Sequence, residues 1–376
     1  MRLEKTSLQN ESELRRFFEQ FSLSSVIELR MRRPDNFFAA YQLQSNEFET
    51  LVLRESDATL HGLASFVFRD TYFEDRVQKI AVATDLRILP NRKSIISWSQ
   101  HFLPVLRDTM KEHGVSSVFS VINSYDTAAF NAFVRPRHMK RAMPRYHLYR
   151  KFQLVSLHGR YPWAPSPLPG LQVRRGENRW LGHIIDYIKR RAPFRAFTSA
   201  WDEKSFFAKM NRLPGFRLED YWIAFDSADR VVGMMAPWSP LSVQEYCPLS
   251  YGLRAHNFRQ FLKFGRLLGW TRPLTKPLSR TGEEAPLKFR FLTSVSAENE
   301  DVFETLLWHV YESLPRDEFL VYGHCLQDFR LNPPPSWISA QMPFGLYAVL
   351  PPECDPPNFL HPTQSLNPEI EACYFF

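Results

Sequence analysis

The sequence predicts an α/β fold of the α+β type, built from two consecutive units that each have a mixed, mostly antiparallel twisted sheet flanked by helices. The chain has 376 residues, which is longer than a single hydrophobic core usually grows. Its apolar fraction of 44% and its 32 Phe residues are enough to fill two cores. A proline-rich segment, HGRYPWAPSPLPG, lies near the middle of the chain, and the order of elements before it is repeated after it.

The first unit, residues 1–157, is predicted to have the element order βαα-βββ-α-β-α-β. Three runs with a period near two, FETLVLRES, HGLASFVFRD and VQKIAVATDLRIL, predict an antiparallel meander. A helix over about 93–113 follows, and Gly114 is placed to end it. The run SSVFSVIN is then a buried strand, a short helix starts at Asp126, and a strand over 146–155 completes the unit.

Residues 158–170 are predicted to be a linker, because their prolines and glycines sustain neither regular structure. The second unit, residues 171–350, starts with the strand LQVRR and two helices, and YWIAFDSADRVVGMMA predicts a hairpin. A basic helix over 254–268 precedes the strand KFRFLTSV, a helix over 302–314 and the strands FLVYGHC and WISAQMPFGLYAVL. The proline-rich end, residues 351–376, predicts an extended tail that is packed on the surface or disordered.

Charge and cysteine content narrow the class of protein. The formal charge of +7 favours anionic ligands such as nucleotides or CoA, although an excess this small is more often a solvated surface. The cysteines form no CxxC pair and the histidines show no HExxH spacing, so neither a disulfide scaffold nor a metal site is predicted. Unpaired thiols, no signal peptide and no apolar stretch of membrane-spanning length predict a cytoplasmic protein without membrane insertion.

The stretch DLRILPNRKSIISW, residues 85–98, carries the strongest signal for chemistry. It predicts a strand, a short loop and immediately the start of a helix. Free backbone N–H groups and the positive end of a helix dipole favour a pyrophosphate at such a junction. Arg92 and Lys93 add positive charge there.

At this junction the chain resembles the GNAT superfamily of N-acetyltransferases, and in particular uncharacterised bacterial proteins with two tandem GNAT domains, to which the segment RPDNFFAAYQ is also similar. In that family strand four leads into an (R/Q)xxGx(G/A) loop that binds the CoA pyrophosphate. Arg92 takes the first position of this motif, Ile95 stands in place of the glycine and Ser97 in place of the small residue. The resemblance implies acetyl-CoA or another acyl-CoA as co-substrate, no metal, and cofactor contacts from Leu86, Arg87, Ile88, Arg92, Lys93, Ser94, Ile95, Ile96 and Ser97.

The second family signature, NxxAxxxY on the helix after strand five, aligns with residues 126–133. Asp126 stands in place of the Asn, and Phe133 replaces the tyrosine that protonates the departing thiolate. Since Phe133 has no proton to donate, Tyr125 is the nearest phenol that could substitute, and the alternative role for Tyr125 is packing. Asn123 is a candidate to bind a pantetheine amide.

Many members of the family use a carboxylate on or near strand four as the general base for the attacking amine. Asp85 is the first candidate and Glu74 the second. The alternative for either is structural: a strand-end carboxylate that caps a loop or forms an ion pair with Arg87.

The corresponding junction in the second unit, VSAENED at 295–301, predicts a helix start with Ser296 as N-cap. Its three carboxylates would repel a pyrophosphate. The sequence therefore predicts acyl-CoA-dependent acyl transfer to the primary amine of a small molecule or peptide by the first unit alone. The alternative is a catalytically inactive GNAT-like protein that binds a ligand or partner.

The basic helix over 254–268 supports a third hypothesis. Its cations alternate with apolar residues, a pattern that would suit nucleic acid or an anionic membrane face. The favoured interpretation is a helix whose Phe258, Phe261, Leu262 and Leu268 cover the sheet. Nucleic acid is accordingly an unfavoured partner, and a homodimer is compatible with the sequence.

Overall fold

The protein is described by a computed structural model that covers residues 1–6, 8–23, 25–135, 143–164, 168, 170–361, 363 and 366–375. We call the part up to the strand that ends at Arg160 the first half, and the part that follows the second half. None of the helices in these residues combines the length and the apolar character needed to cross a bilayer.

The first half follows the predicted order of elements with two additional strands. Its strands are β1 (Arg2–Lys5), β2 (Ser22–Leu23), β3 (Ile27–Arg32), β4 (Glu47–Arg54), β5 (Leu60–Phe73), β6 (Arg76–Ile88), β7 (Val118–Asn123) and β8 (Arg145–Arg160). Its helices are α1 (Glu11–Phe18), α2 (Ala39–Gln42), α3 (Arg92–Glu112) and α4 (Thr127–Ala129), which continues as a π-helix (Phe130–Val134). The long helix starts with the Asn91 side chain as its cap, and Gly114 follows its end with a φ of +62°.

The second half also contains the predicted helices and strands. Its strands are β9 (Gln172–Arg175), β10 (Arg195–Ala196), β11 (Trp222–Phe225), β12 (Val231–Trp238), β13 (Glu245–Tyr251), β14 (Phe289–Ala297), β15 (Phe319–Cys325), β16 (Trp337–Leu350) and β17 (Asn367–Pro368). Its helices are α5 (Leu181–Arg191), α6 (Glu203–Arg212), α7 (Leu253–Leu267), α8 (Leu278–Thr281), α9 (Glu300–Ser313) and α10 (Ala372–Phe375). The predicted N-cap Ser296 lies inside β14, and Asn299 caps α9 instead by accepting a hydrogen bond from the Val302 N–H at 2.9 Å.

The two halves exchange their last strands. The described residues form a 12-stranded sheet in the order β1-β4-β5-β6-β7-β16-β8-β15-β14-β12-β11-β9. Thus β16 of the second half lies next to β7, and β8 of the first half lies next to β15. β8 runs to Arg160, three residues into the predicted linker, because β16 supplies backbone partners that proline and glycine content does not reveal. The division into units 1–157 and 171–350 stays a prediction.

Two features of the fold differ from the sequence prediction. β3 was not predicted, and its partner β13 comes from the other half of the chain. The C-terminal segment was expected at the surface, yet Ile370, Ala372, Cys373 and Tyr374 are all less than a tenth exposed. These apolar residues are too few and too closely spaced to produce a helix or strand period, so their burial depends on the site that receives them.

Candidate active site

A gap opens between β6 and β7 near their carboxyl ends. The strands pair in parallel at Ala81–Val118, Val82–Phe119 and Ala83–Ser120. β6 then continues to Ile88 and β7 to Asn123, and no further pair between them occurs in the described chain. Backbone N–H and C=O groups that face such a gap are available to an extended ligand.

A bulge in β6 lies at the edge of this gap. Ser65 of β5 is opposite Thr84 and Leu63 is opposite Arg87, so Asp85 and Leu86 together face one residue of β5. Asp85 has a φ of +56°, which is uncommon for a residue other than glycine. Bulges of this kind redirect side chains near functional sites.

A cavity of about 560 Å³ adjoins the gap. One wall consists of β6 and β7 residues of the first half, including Thr84 and Ile122. The opposite wall comes from the second half and is largely aromatic, with Tyr246, Phe258, Phe289, Phe291 and Phe319. The volume is within the range of small-molecule sites, and both halves of the chain are needed to build it.

Asp85 is buried in this cavity and forms an ion pair with Arg33. The Nη2 atom of Arg33 donates to Oδ2 of Asp85 at 2.5 Å, and the two side chains are 3% and 9% exposed. Burial opposes the charge on Asp85, but the attraction of Arg33 and Arg87 outweighs it and the pKa of Asp85 is lowered. The sequence alternative was an ion pair with Arg87, and the structure places Arg33 from the RPDNFFAAYQ segment in that position.

Arg33 is itself fixed by neutral partners from both halves. Its Nε atom donates to Oε1 of Gln244 and its Nη1 atom to the carbonyl oxygen of Phe37, both at 3.0 Å. Its guanidinium carbon lies 4.8 Å from the centre of the Tyr41 ring. Glu74, the second candidate base, is in the turn between β5 and β6 at the other end of the strand and does not line the cavity.

Arg87 adds a second positive charge to the cavity wall. Its guanidinium carbon lies 5.2 Å from the centre of the Phe18 ring, and its Nη1 atom donates to the carbonyl oxygen of Leu86 at 3.0 Å. Burial lowers the pKa of Arg87 and Asp85 opposes this shift, but a guanidinium stays protonated at neutral pH. Two guanidiniums against one carboxylate leave a formal charge of +1, which favours an anionic or strongly polar group of a ligand.

Two phenols line the cavity near the position of the family tyrosine. Phe133, which replaces that tyrosine, packs against Tyr146 of β8 with 5.4 Å between ring centres. Burial raises the pKa of Tyr146, so its hydroxyl is protonated at neutral pH. Unlike Phe133, it is a hydrogen-bond donor. No sequence motif indicates this residue, because its place at the cavity depends on where β8 lies in the sheet.

The predicted residues Tyr125 and Asn123 also line the cavity. Oδ1 of Asn123 accepts a hydrogen bond from the Tyr125 N–H at 2.9 Å, and the Tyr125 side chain is 51% exposed. Asp126 caps the following helix by accepting from the Ala129 N–H at 2.9 Å. The turn of π-helix that follows is an irregularity often found at functional sites.

The start of α3 holds the other predicted cofactor contacts, and it lies outside the cavity lining. Oδ1 of Asn91 accepts from the backbone N–H of Ser94 at 2.9 Å and from its hydroxyl at 2.8 Å. Lys93 is ion-paired with Glu55. The N–H groups of Arg92 and Lys93 and the Arg92 side chain are therefore the groups best placed for a phosphate at this helix start.

The side chains of the remaining predicted contacts point in different directions. Ile95 and Ile96 are 53% and 42% exposed. Ile88 packs in the core beneath α3, and the carbonyl oxygen of Ser97 accepts a hydrogen bond from Nδ1 of His101. Among the predicted residues, the structure brings together Asp85, Leu86, Arg87, Asn123 and Tyr125 around one cavity.

The second half has an equivalent gap between β14 and β15, and the C-terminal segment fills it. The two strands pair in parallel from Phe289–Phe319 to Phe291–Val321 and then separate. Glu371 accepts hydrogen bonds from Oγ1 of Thr293 and from the N–H of Ser294, both at 2.8 Å. Ile370 packs so closely on Gly323 that a Cβ at the glycine would lie 2.4 Å from its Cγ2 atom.

A buried ion cluster holds this segment in place. Nζ of Lys209 donates to Oε1 of Glu369 at 2.8 Å and to Oε1 of Glu371 at 2.5 Å, and the Lys209 side chain is 2% exposed. Burial opposes the charges, but their mutual attraction dominates and raises the pKa of Lys209 while it lowers that of Glu369. The second gap is thus a packed region in which one buried lysine pairs with two carboxylates of the C-terminal segment.

Three side chains of the kinds that bind metal ions lie close together away from the cavity. Glu49, Glu112 and His113 have ligand atoms within 4.8 Å of one another in the described residues. Nζ of Lys5 lies 2.7 Å from carboxylate oxygens of both Glu49 and Glu112. The lysine ammonium already balances these carboxylates, so the cluster is accounted for as an ion network.

Comparisons with known proteins support the fold. No family model matches the sequence, and no curated protein is significantly similar to it. A conserved protein of unknown function from Enterococcus faecalis V583, described as a probable N-acyltransferase, has 10% identity and a TM-score of 0.50 over 94% of this chain and 73% of its own. The Saccharomyces cerevisiae N-myristoyltransferase has 7% identity and a TM-score of 0.51 over 92% of this chain and 79% of its own.

A GCN5-related N-acetyltransferase from Sphaerobacter thermophilus also aligns, with 12% identity and a TM-score of 0.45 over 80% of this chain and 79% of its own. The chain shares the fold of the Enterococcus faecalis protein and of the N-myristoyltransferase, and the predicted fold class is confirmed. At these levels of identity the similarity concerns the fold, and the chemistry has to be inferred from the site.

Proposed function

We propose that this protein is an acyl-CoA-dependent N-acyltransferase that works in the gap between β6 and β7. The observation that carries this proposal is the separation of the two strands beside a cavity that is lined by Asp85, Arg87 and the two phenols. The pantetheine arm would lie between the strands and bond their free backbone groups. The pyrophosphate would lie at the start of α3, near Arg92.

The proposed reaction is a direct attack of a primary amine on the thioester carbonyl. The N–C bond forms, the C–S bond breaks, and the proton lost by the nitrogen balances the proton gained by the CoA sulfur. Tyr146 is the first candidate to protonate the thiolate and Tyr125 the second, because both line the cavity.

Asp85 takes an electrostatic role in this scheme. Its lowered pKa makes it a weak proton acceptor at neutral pH, since an efficient general base titrates near the working pH. The acceptor loses its ammonium proton to water before the attack, so the neutral amine is the nucleophile. The negative charge of Asp85 then stabilises the positive charge that develops on nitrogen during the attack.

The second half supplies the wall for the rest of the substrates. Its aromatic lining suits an acyl group longer than acetyl or an apolar portion of the amine. Arg87 faces the same space and would bind a polar or anionic group of the acceptor. Acetyl-CoA and longer acyl-CoA donors are both consistent with this arrangement.

Calorimetric titration with CoA, acetyl-CoA, octanoyl-CoA and myristoyl-CoA tests the proposal. We expect one site per chain, and binding weakened at least about tenfold by Arg92→Glu because that charge no longer neutralises a phosphate. Arg76→Glu is the matched control, since it reverses an exposed charge at the other end of β6. Release of free thiol on addition of amines then measures transfer. No binding of any of these donors at millimolar concentration would contradict the proposal.

A second function, binding without catalysis, is favoured by one observation. The Asn91 side chain already accepts the hydrogen bond of the Ser94 N–H, and the bulky Ile95 stands in place of the family glycine. One of the backbone donors for a phosphate is therefore in use, and the backbone is less open to close approach by a ligand. An inactive GNAT-like binding protein would bind acyl-CoA or another ligand in the same cavity and release no thiol with any amine offered. Thiol release that depends on an amine would exclude it.

A further inference from the structure

Helix α7 presents an apolar outer face to solvent. We define the α7 outer face as Leu253, Phe261, Phe264, Leu267 and Leu268, whose side chains are 78%, 42%, 62%, 81% and 46% exposed. Trp270, just after the helix, is 39% exposed. Of the four residues predicted to cover the sheet, Leu262 is buried and Phe258 partly buried, whereas Phe261 and Leu268 face outwards, which corrects that prediction.

The two apolar sides of α7 are opposite each other. Successive residues of an α-helix are rotated by about 100°, so the buried Ala255, Leu262 and Gly265 share one side. Leu253 and Phe264 then project from the other side. A helix that only covers a sheet is polar on its outer side, so the outer face is not explained by packing within the chain.

The charged side chains of α7 are all positive. The sequence contains no Asp or Glu from Tyr246 to Gly282. Arg259, Lys263 and Arg266 follow one flank of the apolar stripe and Arg254 the other. None of these four forms an ion pair with a carboxylate in the residues that the structure describes, so their charges are available to an anionic partner.

We propose that the α7 outer face docks on the surface of an anionic lipid bilayer. An exposed stripe of Phe and Leu flanked by Arg and Lys is the pattern of helices that lie in a membrane interface, where apolar groups enter the boundary of the acyl chains and cations pair with lipid headgroups. Nucleic acid would pair with the cations and leave the exposed leucines in water. The four cations of α7 favour a negatively charged surface over a neutral one.

The docking surface is continuous with the cavity. Arg254, Ala255 and Phe258 of the same helix line the cavity from its inner side. Docking would therefore bring the cavity close to the bilayer, a source of apolar acyl donors or lipid-bound amines. This last step rests on the proposed function, whereas docking itself does not.

Cosedimentation with vesicles tests the proposal on the full chain. One set consists of phosphatidylcholine, and the other contains about 30 mol% phosphatidylglycerol. We expect binding to the anionic vesicles that is at least about tenfold tighter than to the neutral ones. The double variants Phe264→Ser/Leu267→Ser and Lys263→Glu/Arg266→Glu should each weaken it at least about tenfold.

Two control variants make the same kinds of substitution at exposed aromatic and lysine residues outside α7. Phe194→Ser/Phe329→Ser replaces side chains that are 62% and 67% exposed, and Lys189→Glu/Lys204→Glu reverses two exposed charges on α5 and α6. Both controls should bind like the unchanged protein. Because every substituted side chain is exposed, the melting temperature of each variant should be preserved, and thermal unfolding checks this.

Four outcomes would overturn the proposal: no binding to anionic vesicles, equal binding to neutral ones, loss of binding in the controls as large as in the α7 variants, or a dimer that Phe264→Ser/Leu267→Ser dissociates. The dimer, measured by light scattering, would assign the face to a second copy of the chain. All four are independent of whether the protein binds acyl-CoA, so failure of docking and failure of acyl transfer are distinguishable.

Discussion

The two gaps of the sheet have the same backbone geometry and opposite contents. In each half a pair of parallel strands separates after three paired positions. The gap of the first half opens on a cavity, whereas the gap of the second half holds residues of the C-terminal segment. Where two strands separate, their backbone N–H and C=O groups need other hydrogen-bond partners, and either a ligand or the chain itself can supply them.

The two gaps also differ in their buried charges. Arg33, Arg87 and Asp85 give the first gap a formal charge of +1, whereas in the second gap Lys209 is already paired with Glu369 and Glu371 of the C-terminal segment. An anionic cofactor is attracted to the first gap, while the protein's own carboxylates occupy the second. Four predictions sharpen this contrast, from the largest expected effect to the smallest.

The largest effect should come from Lys209→Met, which leaves two buried carboxylates without their cation. We expect the free energy of unfolding, measured with urea, to fall by about 3–5 kcal/mol. Lys204→Met on the exposed side of the same helix should change it by less than about 0.5 kcal/mol. A small loss in the Lys209 variant would show that the C-terminal segment is not held by this cluster.

His158 lies in β8, which pairs with β15 and β16 of the second half, and its burial should make the stability of the protein depend on pH. Burial lowers the pKa of His158 to about 3. Below the unfolded-state pKa of about 6.5 only the unfolded chain takes up the proton, so the stabilisation is complete above that pH and is lost as pH falls towards 3. Between pH 7 and pH 4 the free energy of unfolding should fall by about 3 kcal/mol more in the unchanged protein than in the His158→Gln variant. Urea unfolding at each pH measures both values. Equal losses in both proteins would contradict the prediction.

In the first gap, Asp85→Asn should lower kcat/KM for acyl transfer at least about 100-fold, because the neutral amide no longer stabilises a positive nitrogen. Steady-state thiol release measures this. Glu74→Gln, at the other end of β6, should change it less than about twofold. Since the variant leaves Arg33 unpaired, its folding has to be verified by thermal unfolding. Activity close to that of the unchanged protein would remove Asp85 from the chemistry.

The smallest effect separates the two phenols. Tyr146→Phe should lower kcat about tenfold with little change in KM, because the proton for the thiolate then comes from water. Tyr125→Phe should have a smaller effect, since its side chain is half exposed and water reaches the site beside it. If the order is reversed, Tyr125 is the proton donor and Tyr146 serves packing against Phe133.

Much of the secondary structure follows from local patterns. The meander, the long helix ended by Gly114 and the hairpin of the second half are all in place, because period and turn residues are local properties. β3 could not be predicted in the same way, since most of its pairing is with β13, which is remote in sequence, and only two of its positions pair with the neighbouring β2. The same holds for Tyr146, whose role depends on where β8 lies in the sheet.

The sequence by itself determined the α+β fold class, the helix that starts just after Asn91 and the acidic character of the junction after β14, because these depend on residues close together in the chain. Only the tertiary structure decided that Arg33 pairs with Asp85, that the last strands are exchanged and that the second gap is filled. Each of these depends on partners that are far apart in the sequence, such as the 52 positions between Arg33 and Asp85 and the 162 positions between Lys209 and Glu371. Such pairings are selected by burial and charge balance in the folded protein.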